Sequence, residues 1–163
     1  MYLEDGEWER ADEYCEKVLD QEPENAEAYL GKLMAEQQVH RQEDLRDCAQ
    51  PFDESSNFKK AVRYGSEALA LSLKEYVSFI NDRNENTRKT DIYNKAFSTM
   101  KAADTAEAYK SASDLFQMIH GFQDADELAK QCLENAEQCI KVKKTGKNGK
   151  LLQLQPLCGR ATF

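Results

Sequence analysis

Five cysteines, at positions 15, 48, 132, 139 and 158, are the residues best suited to metal or redox chemistry in this sequence. Cys132 and Cys139 lie seven residues apart, so a helix would place both thiols on one face, where they could share a metal or redox site. Zinc sites usually include a close pair of Cys or His ligands, and the sequence has no CxxC motif. We therefore expect both to be small buried residues in a helical interface, and we predict no metal and no cofactor.

The histidines and one acidic run offer the other possible catalytic or ligating groups. His40 and His120 are far apart in the chain, and no HExxH or GxSxG motif accompanies either one. His120 precedes Gly121, where it is suited to stabilise a helix C-terminus. The run Asp124-Ala125-Asp126-Glu127 begins like a calcium-binding loop, but Leu128 occupies the next ligand position, so we interpret the run as a helix cap. The sequence thus predicts no enzymatic activity.

Charge is unevenly distributed along the chain, whose net charge is −8. All 30 acidic residues precede Lys141, whereas the segment from Lys141 to Phe163 has six basic residues and no acidic one. We expect the acidic body to repel phosphate backbones and anionic membranes. The run Gly146-Lys147-Asn148-Gly149-Lys150 lacks the spacing of a phosphate-binding loop, and we predict a disordered tail at residues 142–163. Nucleic-acid or anionic-surface binding through this tail is the alternative function.

The elements that position these residues are predicted to be helices. Only three prolines and seven glycines occur among 163 residues, and apolar residues recur at helical spacing through most of the chain. Polar residues interrupt this pattern twice. We predict that residues 37–57 form a loop with at most a short helix near residues 44–48, and that residues 81–90 form a second break.

Capping signals delimit several of the predicted helices. Asn25 is placed to cap the second helix. Asp104-Thr105-Ala106-Glu107 has the form of a capping box, and Gly121 is placed to end that helix in a left-handed conformation. A second Asp-x-x-Glu pattern, from Asp124 to Glu127, predicts the start of the next helix. Because only about four residues connect the two helices, we predict that they form an antiparallel hairpin.

The segment Gly6-Glu7-Trp8-Glu9-Arg10-Ala11, followed by Leu19 and by Pro23-Glu24-Asn25-Ala26-Glu27-Ala28-Tyr29, resembles the tetratricopeptide repeat (TPR). In that family a glycine and an aromatic residue open the second helix, an alanine follows three residues later, and a proline closes the repeat. The region is also similar to segments of multidomain bacterial proteins. The resemblance implies stacked antiparallel helical hairpins with a concave surface for a protein partner.

The resemblance begins in the middle of a repeat. Met1 leads almost directly into what resembles the repeat's second helix, so the helix expected to cover Trp8 has no counterpart. We therefore expect the chain to be a fragment of a larger protein and the uncovered patch to permit self-association.

These observations predict an all-α protein made of stacked antiparallel helical hairpins, a TPR-like α-solenoid fragment. We assign residues 1–36 to TPR-like helices, residues 37–57 to a polar loop region, residues 58–141 to divergent helical hairpins and residues 142–163 to the basic tail.

The predicted function is non-catalytic protein–protein interaction, in which a peptide or helix binds in the concave groove of a scaffold. Leu30, Met34 and Gln37 are predicted to contact this partner. The N-terminus lacks a signal peptide and no apolar segment is long enough to cross a bilayer, so we predict a cytoplasmic protein without a membrane span.

Overall fold

A computed structural model describes residues 2–145, and every element within that range is helical. The elements are α1 (Trp8–Leu19), α2 (Ala26–Gln37), a 3-10 helix (Gln42–Asp47), α3 (Ser56–Tyr64), α4 (Glu67–Ala102), α5 (Ala106–Gln117) and α6 (Ala125–Thr145). The prediction of an all-α protein is confirmed. The basic tail predicted for residues 142–163 lies outside the described residues from position 146 onward. No helix of the described part is long and apolar enough to cross a membrane.

The described part of the chain divides into two compact units, one up to Thr87 and one from Arg88 onward. In the first unit, α2 packs against both α1 and α3. The helices α1 and α2 are antiparallel. Trp8 at the start of α1 lies near His40, which follows the end of α2, with ring centroids 5.0 Å apart, whereas Cys15, later in α1, lies against Gly31, earlier in α2. The core of this unit consists of Tyr29, Leu30, Leu33, Met34, Leu45, Phe52, Phe58, Ala61, Leu73, Val77 and Ile80.

Both ends of α2 are closed by specific hydrogen bonds. The predicted cap at Asn25 is confirmed, because its side-chain oxygen accepts a hydrogen bond from the Ala28 amide at 2.9 Å. At the other end Gln38 adopts a left-handed conformation with φ of 55°, and the Val39 amide donates to the Met34 carbonyl at 3.0 Å. A left-handed residue at the end of a helix is usually glycine. Because glutamine occupies this position here, the sequence gives no clear signal for the end of α2.

The polar segment at residues 37–57 contains the 3-10 helix and contributes to the core of the first unit. Leu45 is 0% exposed and Phe52 is 3% exposed. Side chains of α4 hold the following turn, since Asn84 donates to the Ala49 carbonyl at 2.9 Å and Arg83 donates to the Cys48 carbonyl. Two apolar side chains and these hydrogen bonds order a segment whose composition is mostly polar.

The break predicted at residues 81–90 is wrong, because α4 is one continuous helix of 36 residues. This helix contains neither proline nor glycine, and its polar residues differ from alanine by less than about 1 kcal/mol each in helix propensity. The Thr87 hydroxyl also donates a hydrogen bond to the Arg83 carbonyl, four residues earlier, at 2.9 Å. This bond is compatible with a continuous helix. The scarcity of apolar residues at positions 81–90 therefore reduces burial there but does not end the helix.

In the second unit, α5 and α6 form an antiparallel hairpin. Ser113 pairs with Ala129 and His120 pairs with Asp126, so the two helices run in opposite directions. Gly121 has a φ of 74°, so its predicted left-handed conformation is confirmed. It does not end the helix as predicted, because α5 already ends at Gln117, with Met118 as its C-cap. The core contains Ala96, Ala112, Phe116, Ile119, Ala125, Ala129 and Cys132.

The N-terminal cap of α5 differs from the prediction by one residue. Thr105, not Asp104, precedes the helix, and its hydroxyl accepts a hydrogen bond from the Ala108 amide at 3.2 Å. Both residues are good caps, so sequence preference does not separate them.

Candidate functional site

A concave apolar surface with a volume of about 700 Å³ lies along α1 and α2 in the first unit. We call it the α1–α2 groove. It is lined by the apolar residues Tyr2, Leu3, Ala11, Tyr14, Cys15, Val18, Ala28, Leu30, Gly31 and Met34, and by the polar residues Glu4, Asn25, Glu27, His40 and Gln42.

The groove exists because α1 is only partly covered on its apolar face. Ala11 is buried, whereas Cys15 and Val18 on the same face remain half-buried. Tyr14 is 59% exposed and Tyr2 is 41% exposed. Their rings meet edge to face with centroids 6.3 Å apart, so two aromatic side chains form one exposed patch at the groove.

The floor of the groove lies where α1 and α2 pack closely together at Gly31 and Cys15. Leu30 and Met34 are buried there, and Gly31 lies against Cys15 Sγ. The absence of a side chain at position 31 allows this approach. Burial raises the pKa of the Cys15 thiol, and the Asp12 charge adds to that effect. The thiol is therefore a weak nucleophile that behaves as an apolar surface group.

One wall of the groove is the N-terminal segment, which is held by His40. The His40 Nδ1 atom is hydrogen-bonded to the Leu3 carbonyl at 2.8 Å, and the His40 ring also contacts Trp8. Gly6 completes the turn before α1 with a φ of 71°. His40 thus has a structural role in positioning this wall.

A single lysine forms ion pairs with two acidic residues of α1. Lys32 Nζ lies 2.9 Å from Asp12 Oδ1 and 2.6 Å from Glu16 Oε2. Burial lowers the pKa of Lys32, but hydrogen bonds to Glu16 and Asp12 outweigh that effect, and the net shift is upward. The ammonium group therefore stays charged, and it contributes to holding α1 against α2.

The structure places two of the three predicted contact residues in the groove. Leu30 and Met34 line it, whereas Gln37 is the last residue of α2 and is not among the lining residues. Sequence reasoning missed Tyr2 and Tyr14. Tyr14 lies next to the apolar stripe of α1 and not within it, and this position is the feature of the sequence that indicates an exposed ring.

The other residues considered for chemistry have structural roles. Cys132 is 0% exposed and burial raises its pKa, while Cys139 is half-buried. His120 Nδ1 lies 2.7 Å from Asp126 Oδ1, and the Gly121 amide donates to the second oxygen of that carboxylate at 3.1 Å. This carboxylate therefore closes the α5–α6 turn. Within residues 2–145, no three His, Cys, Asp or Glu side chains are grouped so that they could hold a metal ion.

Asp124, the first residue of the acidic run at positions 124–127, contacts Tyr93. Its carboxylate accepts a hydrogen bond from the Tyr93 hydroxyl at 2.7 Å, which raises the pKa of Tyr93 to about 12. The Tyr93 ring also packs edge to face on Phe116 and Phe122. Asp124 therefore orients an aromatic cluster in the second unit.

Comparisons of the chain with protein-family models, curated proteins and solved structures find no match.

Proposed function

We propose that this chain is a non-catalytic protein-interaction module that binds a peptide or helix in the α1–α2 groove. The observation that carries the proposal is the exposure of Tyr14 and Tyr2 beside an apolar floor. Aromatic residues at such positions contribute most of the binding energy in many protein interfaces. Covering each of these rings would contribute about 1 to 2 kcal/mol, since each is already partly buried.

The proposed architecture is a TPR-like solenoid fragment. It is supported by the antiparallel contacts of α1 with α2 and by those of α2 with α3. In the second of these contacts the Tyr29 and Tyr64 rings stack 5.9 Å apart, and Ser55 at the other end donates to Glu36 at 2.7 Å. Successive antiparallel helices with a shared core are the arrangement that a helical repeat requires. We also propose a cytoplasmic location, which is supported by the free thiols of Cys15, Cys48, Cys132 and Cys139.

The proposal is tested by affinity capture from a lysate of the source organism with three full-length baits. These are the wild type, Tyr14→Glu and Leu71→Glu. Leu71 is 57% exposed on α4 and does not line the groove, so it is a matched control for a surface charge. A protein captured by the wild type and Leu71→Glu but not by Tyr14→Glu would support the proposal.

Equal capture of the same proteins by all three baits would contradict the proposal, provided that Tyr14→Glu keeps the helical circular dichroism of the wild type. Capture of nucleic acid by all three baits, with steep loss at higher salt, would instead favour the basic tail as the binding element.

A further inference from the structure

The charges at the α1–α2 groove are acidic. Glu4 and Glu27 line it and are exposed, and none of the described lysine or arginine side chains lines it. Glu22 and Glu24 lie beside Asn25, next to the end of the groove that Glu27 occupies. A partner with cationic side chains near the mouth would therefore be attracted, and an acidic one would be repelled.

The length of the groove is set by α2. Lining residues extend from Asn25 to Met34, which corresponds to roughly 14 Å at the helical rise per residue. His40, which follows the end of α2, also lines the groove. Its ring is hydrogen-bonded to the Leu3 carbonyl, which places the neighbouring residue Glu4 at that end of the groove. Acidic side chains consequently stand near both ends of a groove that is about three helical turns long.

The floor of the groove, at Leu30, Gly31 and Met34, offers no side-chain oxygen or nitrogen atom to a partner backbone. The Asn25 side-chain oxygen is engaged by the Ala28 amide, and His40 Nδ1 is engaged by the Leu3 carbonyl. An extended peptide would bury its own amide and carbonyl groups here without partners, which is costly. A helix satisfies these groups internally and presents only side chains to the apolar floor.

We propose that the partner segment is an amphipathic α-helix of about three turns, with Lys or Arg side chains that flank its apolar face near Glu27. This inference rests on the proposed function and specifies the partner class of the same groove. The apolar face packs on Leu30, Met34 and Tyr14, and the cations lie at the end of the groove that Glu27 occupies.

The test measures fluorescence anisotropy of three synthetic peptides of about 14 residues, added to the full chain at low salt. The first carries leucines on one helical face and lysines at both ends. The second replaces the lysines by glutamates, and the third is the lysine peptide with a central proline. We expect the lysine peptide to bind about tenfold more tightly than either of the others, with the charge preference shrinking as salt is raised.

Two variants of the protein localise the charge effect. Glu27→Lys should weaken binding of the lysine peptide about tenfold, because the added cation lies in the groove. Glu67→Lys is the matched control, since Glu67 is also exposed in the first turn of a helix and the change in net charge is the same. Binding to Glu67→Lys should stay close to that of the wild type.

The outcomes separate this inference from the function on which it rests. Equal affinity for the lysine and glutamate peptides, or equal effects of the two variants, would overturn the charge preference while leaving the groove function intact. Full affinity of the proline peptide would overturn the helical conformation of the partner. If no peptide binds, or if Tyr14→Glu binds as the wild type does, the groove function fails as well.

Discussion

Gly31 of α2 packs directly against Cys15 of α1, so that a Cβ atom at position 31 would lie 2.6 Å from Cys15 Sγ. This distance is shorter than an ordinary nonbonded contact, and a side chain at position 31 would displace either the thiol or one of the helices. Both residues line the α1–α2 groove. The contact therefore relates the packing of two helices to the shape of the candidate binding surface.

Replacement of Gly31 by alanine tests this contact. Alanine favours a helix over glycine by about 1 kcal/mol, but overpacking of a tight contact costs about 1 to 3 kcal/mol. We expect a net decrease of about 1 kcal/mol in the free energy of unfolding measured with urea. In a Cys15→Ala background the obstruction is absent, and Gly31→Ala should be stabilising by about 0.5 to 1 kcal/mol. Stabilisation of the otherwise wild-type chain would show that the helices are further apart.

Truncation of Phe52 tests whether the polar segment at residues 37–57 belongs to the core. Phe52 packs edge to face on Phe58 with ring centroids 5.7 Å apart. Phe52→Ala should lower the free energy of unfolding by about 3 to 5 kcal/mol because it leaves a cavity. The control is Phe79→Ala, since Phe79 is 37% exposed beneath Arg46, and its loss should cost clearly less. Similar small costs for both variants would mean that the segment is not packed.

Removal of the Ser113 hydroxyl tests a buried polar contact between α5 and α6. Ser113 is 0% exposed, and its hydroxyl donates to the Ala129 carbonyl at 3.0 Å. Ser111→Ala is the matched control, because that hydroxyl is exposed and bonds within its own helix, to the Glu107 carbonyl at 3.1 Å. Both changes gain helix propensity equally, so Ser113→Ala should be less stable than Ser111→Ala by about 1 kcal/mol. Equal thermal midpoints would argue against the interhelical hydrogen bond.

Alkaline titration tests the contact between Tyr93 and Asp124. The hydrogen bond to Asp124 is the largest cause that raises the pKa of Tyr93 to about 12, from an ordinary value of 10. Because the folded-state pKa lies above the unfolded one, this contribution to stability is complete below about pH 10 and is lost as the pH rises toward 12.

Absorbance at 295 nm should accordingly show one tyrosine that ionises later than an ordinary tyrosine. Tyr93→Phe should remove that step, and Asp124→Asn should move it to lower pH because the amide carries no charge. Persistence of the late step in Tyr93→Phe would assign it to another residue.

Local sequence signals predicted much of the helical structure correctly. Asn25 caps α2 because its side-chain oxygen can accept an amide hydrogen bond, and Gly121 adopts a left-handed conformation because it has no Cβ atom. Such features depend on residues within one turn of the chain, so composition and spacing are enough to detect them. The same reasoning failed at residues 81–90, where polarity was interpreted as a break although no residue there ends a helix.

The groove itself was only partly accessible from the sequence. Leu30 and Met34 were predicted to contact a partner and do line it, but a stripe of apolar residues does not reveal which of them stays uncovered. Tyr14 lies beside the stripe of α1, and its exposure depends on which other elements pack against that side of the helix. These are long-range contacts, and helical periodicity contains no information about them.

The sequence by itself determined an all-helical chain, the cap of α2 at Asn25 and an acidic body, because these properties follow from local propensity, capping and charge. Tertiary structure decided that Leu45 and Phe52 enter the core, that Gly31 admits Cys15, and that one face of α1 stays partly open. Those outcomes depend on which surfaces meet after the chain folds back, since burial is a property of neighbours that are distant in sequence.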